Sequence, residues 1–280
     1  MMRSMTAPRT YPDPGDGETP PAWLVDRLRA AGCVFAEDEA AVLLEAAGSA
    51  GELAGLLARR VAGLPLEQVV GWVEFAGRRV GIDPGVFVPR RRSELLVRAA
   101  VAHLQGPAGR RRTQPPQVAD LCCGCGAIGL AVALAVPGTR LMAGDLEPAA
   151  VRCAARNLVA VGGTVRRGDL FAALPADRRG RIDVLVANAP YVPTAAIALM
   201  PPEARDHEPA SALDGGPDGT DILARVIAGA PEWLAPGGLV LVEVGRAQVA
   251  TVTNALRDRG LTPRVLADEE LGALIVTGRR

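Results

Sequence analysis

From about residue 118 onward, short apolar runs alternate with longer segments in which apolar residues recur every three to four positions. The short runs predict buried β-strands, and the longer segments, such as residues 128–136 and 149–161, predict helices. Because strands that alternate with helices are joined by crossover connections, the pattern predicts an α/β domain built on a mostly parallel sheet. The six predicted strands are residues 118–122, 140–145, 164–167, 182–188, 239–244 and 273–277.

The part of the chain before residue 106 follows a different pattern. Residues 21–63 carry apolar positions at helical spacing, and Gly48 and Gly51 divide them into short predicted helices. Residues 72–82 predict two strands that meet at Ala76-Gly77, which is a hairpin signal. We therefore expect a disordered Pro-rich tail over residues 1–20, a small helical domain over 21–68, a β-hairpin connector over 69–90 and the main α/β domain over 91–280.

The composition excludes several classes of protein. All 31 basic residues are Arg, so the chain has no Lys for a P-loop or for Schiff-base chemistry. The 31 acidic residues balance this charge, so we expect no dedicated nucleic-acid binding. The chain has only two His, which lie far apart in the sequence, so we expect no His-rich metal site. No apolar run approaches the roughly 20 residues of a membrane span, so we expect no membrane anchor. Five Cys, an odd number, favour a reducing cytoplasm over a disulfide framework.

A glycine-rich turn follows the first predicted strand of the main domain and opens a helix. It runs Asp120-Leu-Cys-Cys-Gly-Cys-Gly126, and Gly124, Gly126 and Gly129 together match the dinucleotide fingerprint G-x-G-x-x-G. Glycines let a ligand approach the backbone, and the unpaired N–H groups of the following helix suit a carboxylate or a phosphate. Taken alone, the turn is compatible with NAD, with S-adenosylmethionine or with a purely structural role.

Two acidic residues follow the next two predicted strands. Asp145 ends the second strand about 20 residues after Gly126, where a carboxylate can accept hydrogen bonds from both ribose hydroxyls of a bound nucleoside. Asp169 follows the third strand and can meet the amino group of an adenine. Each residue also has a purely structural interpretation as a solvated carboxylate at a strand end.

Three cysteines lie within the glycine-rich turn. Cys122 and Cys125 form a C-x-x-C pair, with Cys123 between them. A metal or redox site needs further ligands, and the spacing of Cys33 and Cys153 does not supply a second pair. We interpret the three cysteines as small residues that pack beneath the ligand, and we predict no metal site.

The fourth predicted strand ends in Asn188-Ala189-Pro190-Tyr191, at the same edge of the sheet as the glycine-rich turn. Asn188 Oδ1 and the Ala189 carbonyl can each accept one N–H from a substrate –NH2 group, which orients the nitrogen and favours positive charge developing on it. Pro190 restricts Ala189 to an extended conformation, and Tyr191 offers a flat face to a planar group. These properties suit methyl transfer to a planar amino group without a general base.

Further short motifs accompany these two turns. They are Pro65-Leu66-Glu67-Gln68, Gly71-Trp72-Val73-Glu74-Phe75, Pro84-Gly85-Val86, Val88-Pro89-Arg90 with Glu94, Asp120 through Ile128, Glu208-Pro209, Leu213-Asp214-Gly215-Gly216 and Asp218-Gly219. In this combination the chain resembles the HemK-type protein-(glutamine-N5) methyltransferases, which modify the Gln of the Gly-Gly-Gln motif in peptide chain release factors. The resemblance covers nearly all of the chain after the tail.

The resemblance implies a fold, a cofactor and a set of site residues. The fold is a Rossmann-like class I methyltransferase with a seven-stranded, mostly parallel sheet, joined by a hairpin to a small N-terminal helical domain that recognises substrate. S-adenosylmethionine is the implied cofactor, and Asn188, Ala189, Pro190 and Tyr191 are the implied catalytic residues that hold the substrate amide. The predicted cofactor-binding residues are Asp120, Cys122, Cys123, Gly124, Cys125, Gly126, Asp145, Asp169, Leu170 and Asn188.

The chain departs from the family pattern at several positions. Ala189 replaces the first Pro of the family motif Asn-Pro-Pro-Tyr, so the carbonyl is kept but one fixed φ is lost. Arg91 and Arg92 stand where the family has Pro and Glu, and Leu170 stands where it often has an aromatic residue beside the adenine. These departures indicate a divergent member of the family. They affect the prediction of the methyl acceptor more than the prediction of methyl transfer.

Several alternatives stay open at this point. The acceptor can be another protein amide or the amino group of a nucleic-acid base, with Arg90–Arg92 and Arg110–Arg112 either contacting phosphates or lying on a solvated surface. The chain can also be an NAD-dependent oxidoreductase, or a paralogue that binds cofactor without transferring methyl groups. We expect a cytoplasmic monomer whose partner is a protein substrate, in the first instance a release factor.

Overall fold

The computed structural model describes residues 19–107 and 114–280. The predicted tail lies outside the described residues up to position 18, and so does the Arg110–Arg112 run. Within the described ranges, no helix is long and apolar enough to cross a membrane.

The first helices pack around a small core of their own. They are α1 (Ala22–Ala30), α2 (Ala36–Ala46), α3 (Ala50–Val61) and α4 (Leu66–Val70). Leu24, Leu28 and Leu43 are fully buried between them, as the helical spacing predicts. Gly48 precedes α3, but Gly51 lies in its first turn and does not interrupt it, because the Ser49 hydroxyl accepts a hydrogen bond from the Glu52 N–H and caps the helix there.

A hairpin follows the helices, as predicted. Strands β1 (Trp72–Phe75) and β2 (Arg78–Gly81) pair antiparallel, and the two turn residues Ala76 and Gly77 both have positive φ, the geometry that a two-residue hairpin turn requires. Phe75 of this hairpin is buried in the same core as the main domain.

The main domain is built on a seven-stranded sheet that confirms the predicted fold class. Its strands are β3 (Gln117–Leu121), β4 (Arg140–Asp145), β5 (Thr164–Arg167), β6 (Ile182–Ala187), β7 (Leu234–Glu243), β8 (Thr262–Asp268) and β9 (Ala273–Arg279). The strand order is β5-β4-β3-β6-β7-β9-β8. All neighbouring strands from β5 to β7 are parallel, and β9 is antiparallel to both β7 and β8.

Helices cover both faces of this sheet. The core on one face contains residues of α5 (Glu94–Gln105), α6 (Ala127–Ala135) and α7 (Pro148–Leu158). The core on the other face contains residues of α10 (Asp221–Trp233) and α11 (Val249–Asp258). Between β6 and α10 lie the short helices α8 (Pro202–His207) and α9 (Ala210–Leu213).

The apolar pattern did not predict β8, and the reason is its position. Strand β8 lies at the edge of the sheet and pairs only with β9. Most of its residues are exposed or half-buried, and it carries Pro263 and Arg264 in place of a continuous apolar run. An edge strand with one hydrogen-bonded neighbour buries too little surface to require apolar residues.

Candidate active site

The register of the sheet aligns four polar residues along one edge. Leu121 of β3 is paired with Gly144 of β4 and with Ala187 of β6, and Ala187 is paired with Val242 of β7. The next residue on each strand therefore forms a row, which consists of Cys122, Asp145, Asn188 and Glu243. The strand order reverses between β3 and β6, and ligands bind at such a switch point in open α/β sheets.

The glycine-rich turn is held by a buried carboxylate. Asp120 Oδ2 accepts a hydrogen bond of 2.9 Å from the Gly129 N–H at the start of α6. A Cβ at Gly129 would lie 2.9 Å from this oxygen, so the third glycine of the fingerprint is needed for the helix to approach the strand. Gly126 at the helix N-terminus has a φ of 81°, which favours glycine.

The second oxygen of Asp120 provides a test of whether the site fits a ligand. Oδ1 is buried and has no hydrogen-bond partner among the described residues. The Asp120 pKa is raised to about 7, chiefly by burial and in smaller part by the neighbouring charge of Asp145, while the hydrogen bond from the Gly129 N–H acts to lower it. A buried acceptor without a partner is costly, and a ligand that brings an N–H group to it removes that cost.

Asp145 is oriented by the backbone on both sides. Its Oδ2 accepts from the Gly124 N–H at 2.8 Å, and its Oδ1 accepts from the Glu147 N–H at 2.9 Å. Burial raises the Asp145 pKa, although these N–H groups act to lower it. Each oxygen keeps a lone pair that can accept from a ligand hydroxyl.

Asp169 and Leu170 lie at the same edge, next to β4. The 3₁₀ turn Leu170–Ala173 packs so closely on this strand that a Cβ at Gly144 would lie 2.4 Å from the Ala173 Cβ. Leu170 is buried with a positive φ of 50°, a strained conformation for a branched residue. Asp169 Oδ2 forms an ion pair of 2.6 Å with Arg225 Nη2, so one of its oxygens is already occupied by the protein.

The three cysteines of the turn are all free thiols. Cys123 and Cys125 are buried, and Cys122 is half-buried with a positive φ of 54°. Burial raises the pKa of all three thiols, so they stay protonated and weakly reactive at neutral pH. This environment is compatible with their predicted packing role.

The turn Asn188–Tyr191, named the acceptor turn for its predicted role, is connected to the segment before α5 by side chains. Asn188 Nδ2 donates a hydrogen bond of 3.1 Å to Ser93 Oγ, and Ser93 in turn donates one of 2.6 Å to Glu243 Oε2. Asn188 Oδ1 is not used in these bonds. Ala189 and Pro190 are buried, and Asn188 and Tyr191 are half-buried.

Tyr191 is held at both its hydroxyl and its backbone. Its Oη donates to Glu243 Oε1 at 2.7 Å and accepts from Arg92 Nη2 at 2.8 Å. Its carbonyl accepts a bond of 2.8 Å from Gln248 Nε2, a buried side chain at the start of α11. Burial and the charge of Glu243 raise the Tyr191 pKa, so the phenol remains protonated.

The Arg90–Arg92 run combines surface exposure with ion pairs to buried carboxylates. Arg90 Nη2 contacts both oxygens of the buried Glu208 at 2.7 and 2.8 Å, and Arg92 Nε contacts the buried Glu243 at 2.7 Å. Arg90 and Arg92 therefore each pair with a buried carboxylate, while the Arg92 side chain keeps 43% of its surface exposed, as expected for a solvated run.

Sequence reasoning missed Ser93, Glu243 and Gln248. Glu243 lies at the carboxyl end of an apolar strand, the same signal that identified Asp145, but the predicted strand ran through it to residue 244. The link between Ser93 and Glu243 spans 150 residues, so the local pattern gave no indication of it.

Comparisons with known proteins agree with this architecture. Residues 82–200 match the family model described as the methyltransferase small domain. The release factor glutamine methyltransferase of Geobacter sulfurreducens is 36% identical over 228 residues, which cover 81% of this chain and 76% of that protein. The 4-amino-L-phenylalanine/4-methylamino-L-phenylalanine methyltransferase of Streptomyces pristinaespiralis is 37% identical over 202 residues, which cover 72% and 68% of the two chains.

A solved structure shares the fold. The Thermus thermophilus 16S rRNA N2 G1207 methyltransferase, in complex with AdoMet and guanosine, superposes with a TM-score of 0.52 at 19% identity. The alignment covers 75% of this chain and 49% of that one.

These relationships decide between the alternatives left open by the glycine-rich turn. The cofactor is S-adenosylmethionine, the NAD interpretation is wrong, and the predicted resemblance is confirmed. Because relatives more than 30% identical align over most of both chains, the chain belongs to the release factor glutamine methyltransferase family of S-adenosylmethionine-dependent enzymes.

Proposed function

We propose that this protein methylates the side-chain amide nitrogen of a glutamine in a peptide chain release factor. The observation that carries the proposal is the acceptor turn, where Asn188 Oδ1 and the Ala189 carbonyl end strand β6 beside the glycine-rich turn of β3. Relatives from several bacteria, including Geobacter sulfurreducens, carry the name of this activity.

Residues at the edge of β3, β4 and β5 form the cofactor side of the site. When bound, S-adenosylmethionine supplies an electrophilic methyl group on a sulfonium. Asp120 Oδ1, a buried acceptor that has no hydrogen-bond partner within residues 19–107 and 114–280, suits the ammonium group of the cofactor, and the remaining lone pairs of Asp145 suit the ribose hydroxyls. Leu170 offers an apolar contact to the adenine, and Asp169 offers its second oxygen to the adenine amino group. Backbone and small side chains complete this side at Cys122, Cys123, Gly124, Cys125 and Gly126, with Asn188 at its border.

The acceptor side has to activate a poor nucleophile. The lone pair of an amide nitrogen is delocalised into its carbonyl, and the nitrogen must be held about 3–3.5 Å from the methyl carbon in line with the breaking bond. Asn188 Oδ1 and the Ala189 carbonyl accept the two amide N–H groups, which fixes the nitrogen and stabilises the positive charge that develops as the N–C bond forms. The proton leaves to solvent after transfer, so a base with a shifted pKa is not required.

The loss of the first Pro from the motif is compensated by packing. Ala189 is fully buried, and Pro190 still restricts it to extended conformations. Gln248 Nε2 donates to the Tyr191, Asp218 and Gly219 carbonyls at 2.8, 3.1 and 3.0 Å, which ties the turn to the following loop. An acceptor turn held in this way supports an active enzyme over a paralogue that only binds cofactor.

A second candidate acceptor is a small aromatic amine. The relative from Streptomyces pristinaespiralis is named for methylation of 4-amino-L-phenylalanine and its methylamino derivative, and it is as similar to this chain as the release factor enzymes are. Arg92, which stands where the family has Glu, places a guanidinium beside the Tyr191 hydroxyl and changes the charge around the acceptor. An aryl amine also presents a planar –NH2 to the same two acceptors.

Transfer of labelled methyl groups by the purified protein distinguishes the two acceptors. The reactions contain a full-length release factor, the same factor with the Gln of Gly-Gly-Gln replaced by Ala, or 4-amino-L-phenylalanine. Label on the first factor alone supports the proposal. Label on the aryl amine alone, or equal label on both factors, contradicts it.

We also propose that residues 21–68 recognise the protein substrate, that residues 69–90 connect them to the methyltransferase domain at 91–280, and that the enzyme is a cytoplasmic monomer. All five cysteines are free, which favours a reducing compartment.

A further inference from the structure

Glu243 is the centre of a buried hydrogen-bond network at the end of β7. Its carboxylate accepts from Ser93 Oγ at 2.6 Å, from Tyr191 Oη at 2.7 Å and from Arg92 Nε at 2.7 Å. Glu243 itself is 1% exposed. Because a carboxylate has no hydrogen to donate, both hydroxyl groups must point their hydrogens toward it.

This requirement determines how Ser93 meets Asn188. A serine hydroxyl has one hydrogen, and in Ser93 that hydrogen is directed at Glu243. The Ser93 oxygen can then only accept, and it accepts from Asn188 Nδ2 at 3.1 Å. Donation therefore runs in one direction, from Asn188 to Ser93 to Glu243, and Asn188 Oδ1 is left on the opposite side of the amide.

The same carboxylate fixes the aromatic residue of the acceptor turn. Tyr191 directs its hydrogen at Glu243 and accepts from Arg92 Nη2 at 2.8 Å. Arg92 thereby contacts both the phenol and the carboxylate, and its half-exposed guanidinium places a positive charge next to the buried negative charge of Glu243. Glu243 thus orients both the Asn188 amide, through Ser93, and the Tyr191 ring.

We propose that Glu243 and Ser93 are positioning residues that set which end of the Asn188 amide faces the acceptor nitrogen. The proposal rests on the proposed function of Asn188 as an acceptor for substrate N–H groups. If the amide were reversed, Asn188 would present N–H groups to the N–H groups of the substrate, and the nitrogen would not be held for transfer.

Glu243→Gln is the sharpest test because it keeps the shape of the side chain. A glutamine amide can donate to Ser93, so Ser93 can donate to Asn188 Oδ1 and the Asn188 amide can turn over. We expect kcat to fall by about tenfold or more, with S-adenosylhomocysteine affinity within about twofold of the wild-type value. Ser93→Ala should show the same loss, and Ser93→Thr, which keeps the hydroxyl, should restore most of the rate.

Glu208→Gln is the matched control. Glu208 is also a buried carboxylate with an arginine partner, but its hydrogen bonds go to Arg90 and to the Val88 N–H and do not reach Asn188. If the effect of Glu243→Gln were only a loss of stability, both variants would lose activity in proportion to their loss of Tm. We expect Glu208→Gln to keep most of its kcat at a temperature where it is folded.

A measurement that does not use activity separates this proposal from the proposed function. The chain has three Asn, so a sample labelled with ¹⁵N at Asn gives three side-chain amide signals, and the Asn188→Ala variant identifies the relevant one. We expect Glu243→Gln and Ser93→Ala to shift this signal and to speed its hydrogen exchange, whereas Glu208→Gln leaves it in place. An unchanged signal in Glu243→Gln, or an unchanged kcat on whichever acceptor the wild type methylates, would overturn the proposal. If the amide signal responds but no release factor is methylated, the positioning role stands and the proposed substrate fails.

Discussion

Arg60 and Glu203, which lie 143 residues apart, form an ion pair with 2.7 Å between Nη2 and Oε1. Arg60 belongs to α3 of the helical segment, and Glu203 belongs to α8, the helix that follows the acceptor turn. Arg60 also binds the buried Glu39 through Nε at 2.6 Å and Nη2 at 3.0 Å. A single guanidinium therefore joins the helical segment to the acceptor side of the enzyme.

Replacing Arg60 should destabilise the fold strongly. Arg60→Met leaves the Glu39 carboxylate buried without a cation, and we expect the free energy of unfolding to fall by about 3–5 kcal/mol. Glu203→Gln is the control, because it keeps the Arg60–Glu39 pair and should cost only about 1 kcal/mol. Urea denaturation measures the free energy of unfolding of both variants. Equal decreases would show that the buried Arg60–Glu39 pair contributes no more to stability than the Arg60–Glu203 pair.

Asp145→Ala should weaken cofactor binding. The substitution removes the carboxylate that orients the Gly124 N–H and has lone pairs left for the ribose, and each charge-assisted hydrogen bond contributes about 1.5–3 kcal/mol. We expect the Kd for S-adenosylhomocysteine to rise by roughly 10- to 100-fold in calorimetric titrations. Asp177→Ala, at an exposed carboxylate, should leave the Kd unchanged. Unchanged affinity in Asp145→Ala would remove this residue from the site.

Asn188→Ala should affect turnover rather than cofactor binding. It removes one of the two acceptors for the substrate amide, and the loss of one such fixed group lowers kcat by about 100- to 1,000-fold in other enzymes. Binding of S-adenosylhomocysteine should stay within a few-fold, because the cofactor contacts on β3 and β4 remain. Single-turnover kinetics give the rate of the transfer step, and a rate equal to that of the wild type would contradict the proposed role of Asn188 as an acceptor for the substrate N–H groups.

Asp120 should make stability depend on pH in a defined window. Its pKa rises from 3.8 to about 7 on folding, chiefly because of burial, so the folded state binds more protons than the unfolded state between these values. Stability from this residue is therefore present below about pH 4 and is lost as the pH rises toward 7. Relative to Asp120→Asn, the wild type should lose on the order of a few kcal/mol between pH 4 and pH 7. Parallel urea titrations at several pH values test this, and a constant difference between the two proteins would refute it.

The features that could be predicted from the sequence are those that depend on residues close together in the chain. The positions of Asp145 and Asn188 at one edge of the sheet could be predicted because each directly ends a buried strand, and parallel strands bring such positions together. The hairpin at Ala76-Gly77 was found because a two-residue turn has local requirements.

The missed features depend on partners that are distant in the chain. Arg90 meets Glu208 across 118 residues, and Arg92 meets Glu243 across 151. Periodicity reports which face of an element is buried, but it does not report which element packs against that face. The proximity of Glu243 to Asn188 and Tyr191 thus follows from the pairing of β7 with β6, which the apolar pattern does not report.

The pairing of β3 with β6 also determines how donor and acceptor are brought together. The two strands are direct neighbours, so the cofactor turn after Leu121 and the acceptor turn after Ala187 are separated by one interstrand spacing, about 4.8 Å. Backbone hydrogen bonds set this separation when the sheet forms, before any ligand arrives. Under the proposed function, folding of the sheet itself thus aligns the methyl donor with the acceptor, and a slip of β6 by one residue would turn Asn188 to the opposite face and abolish transfer.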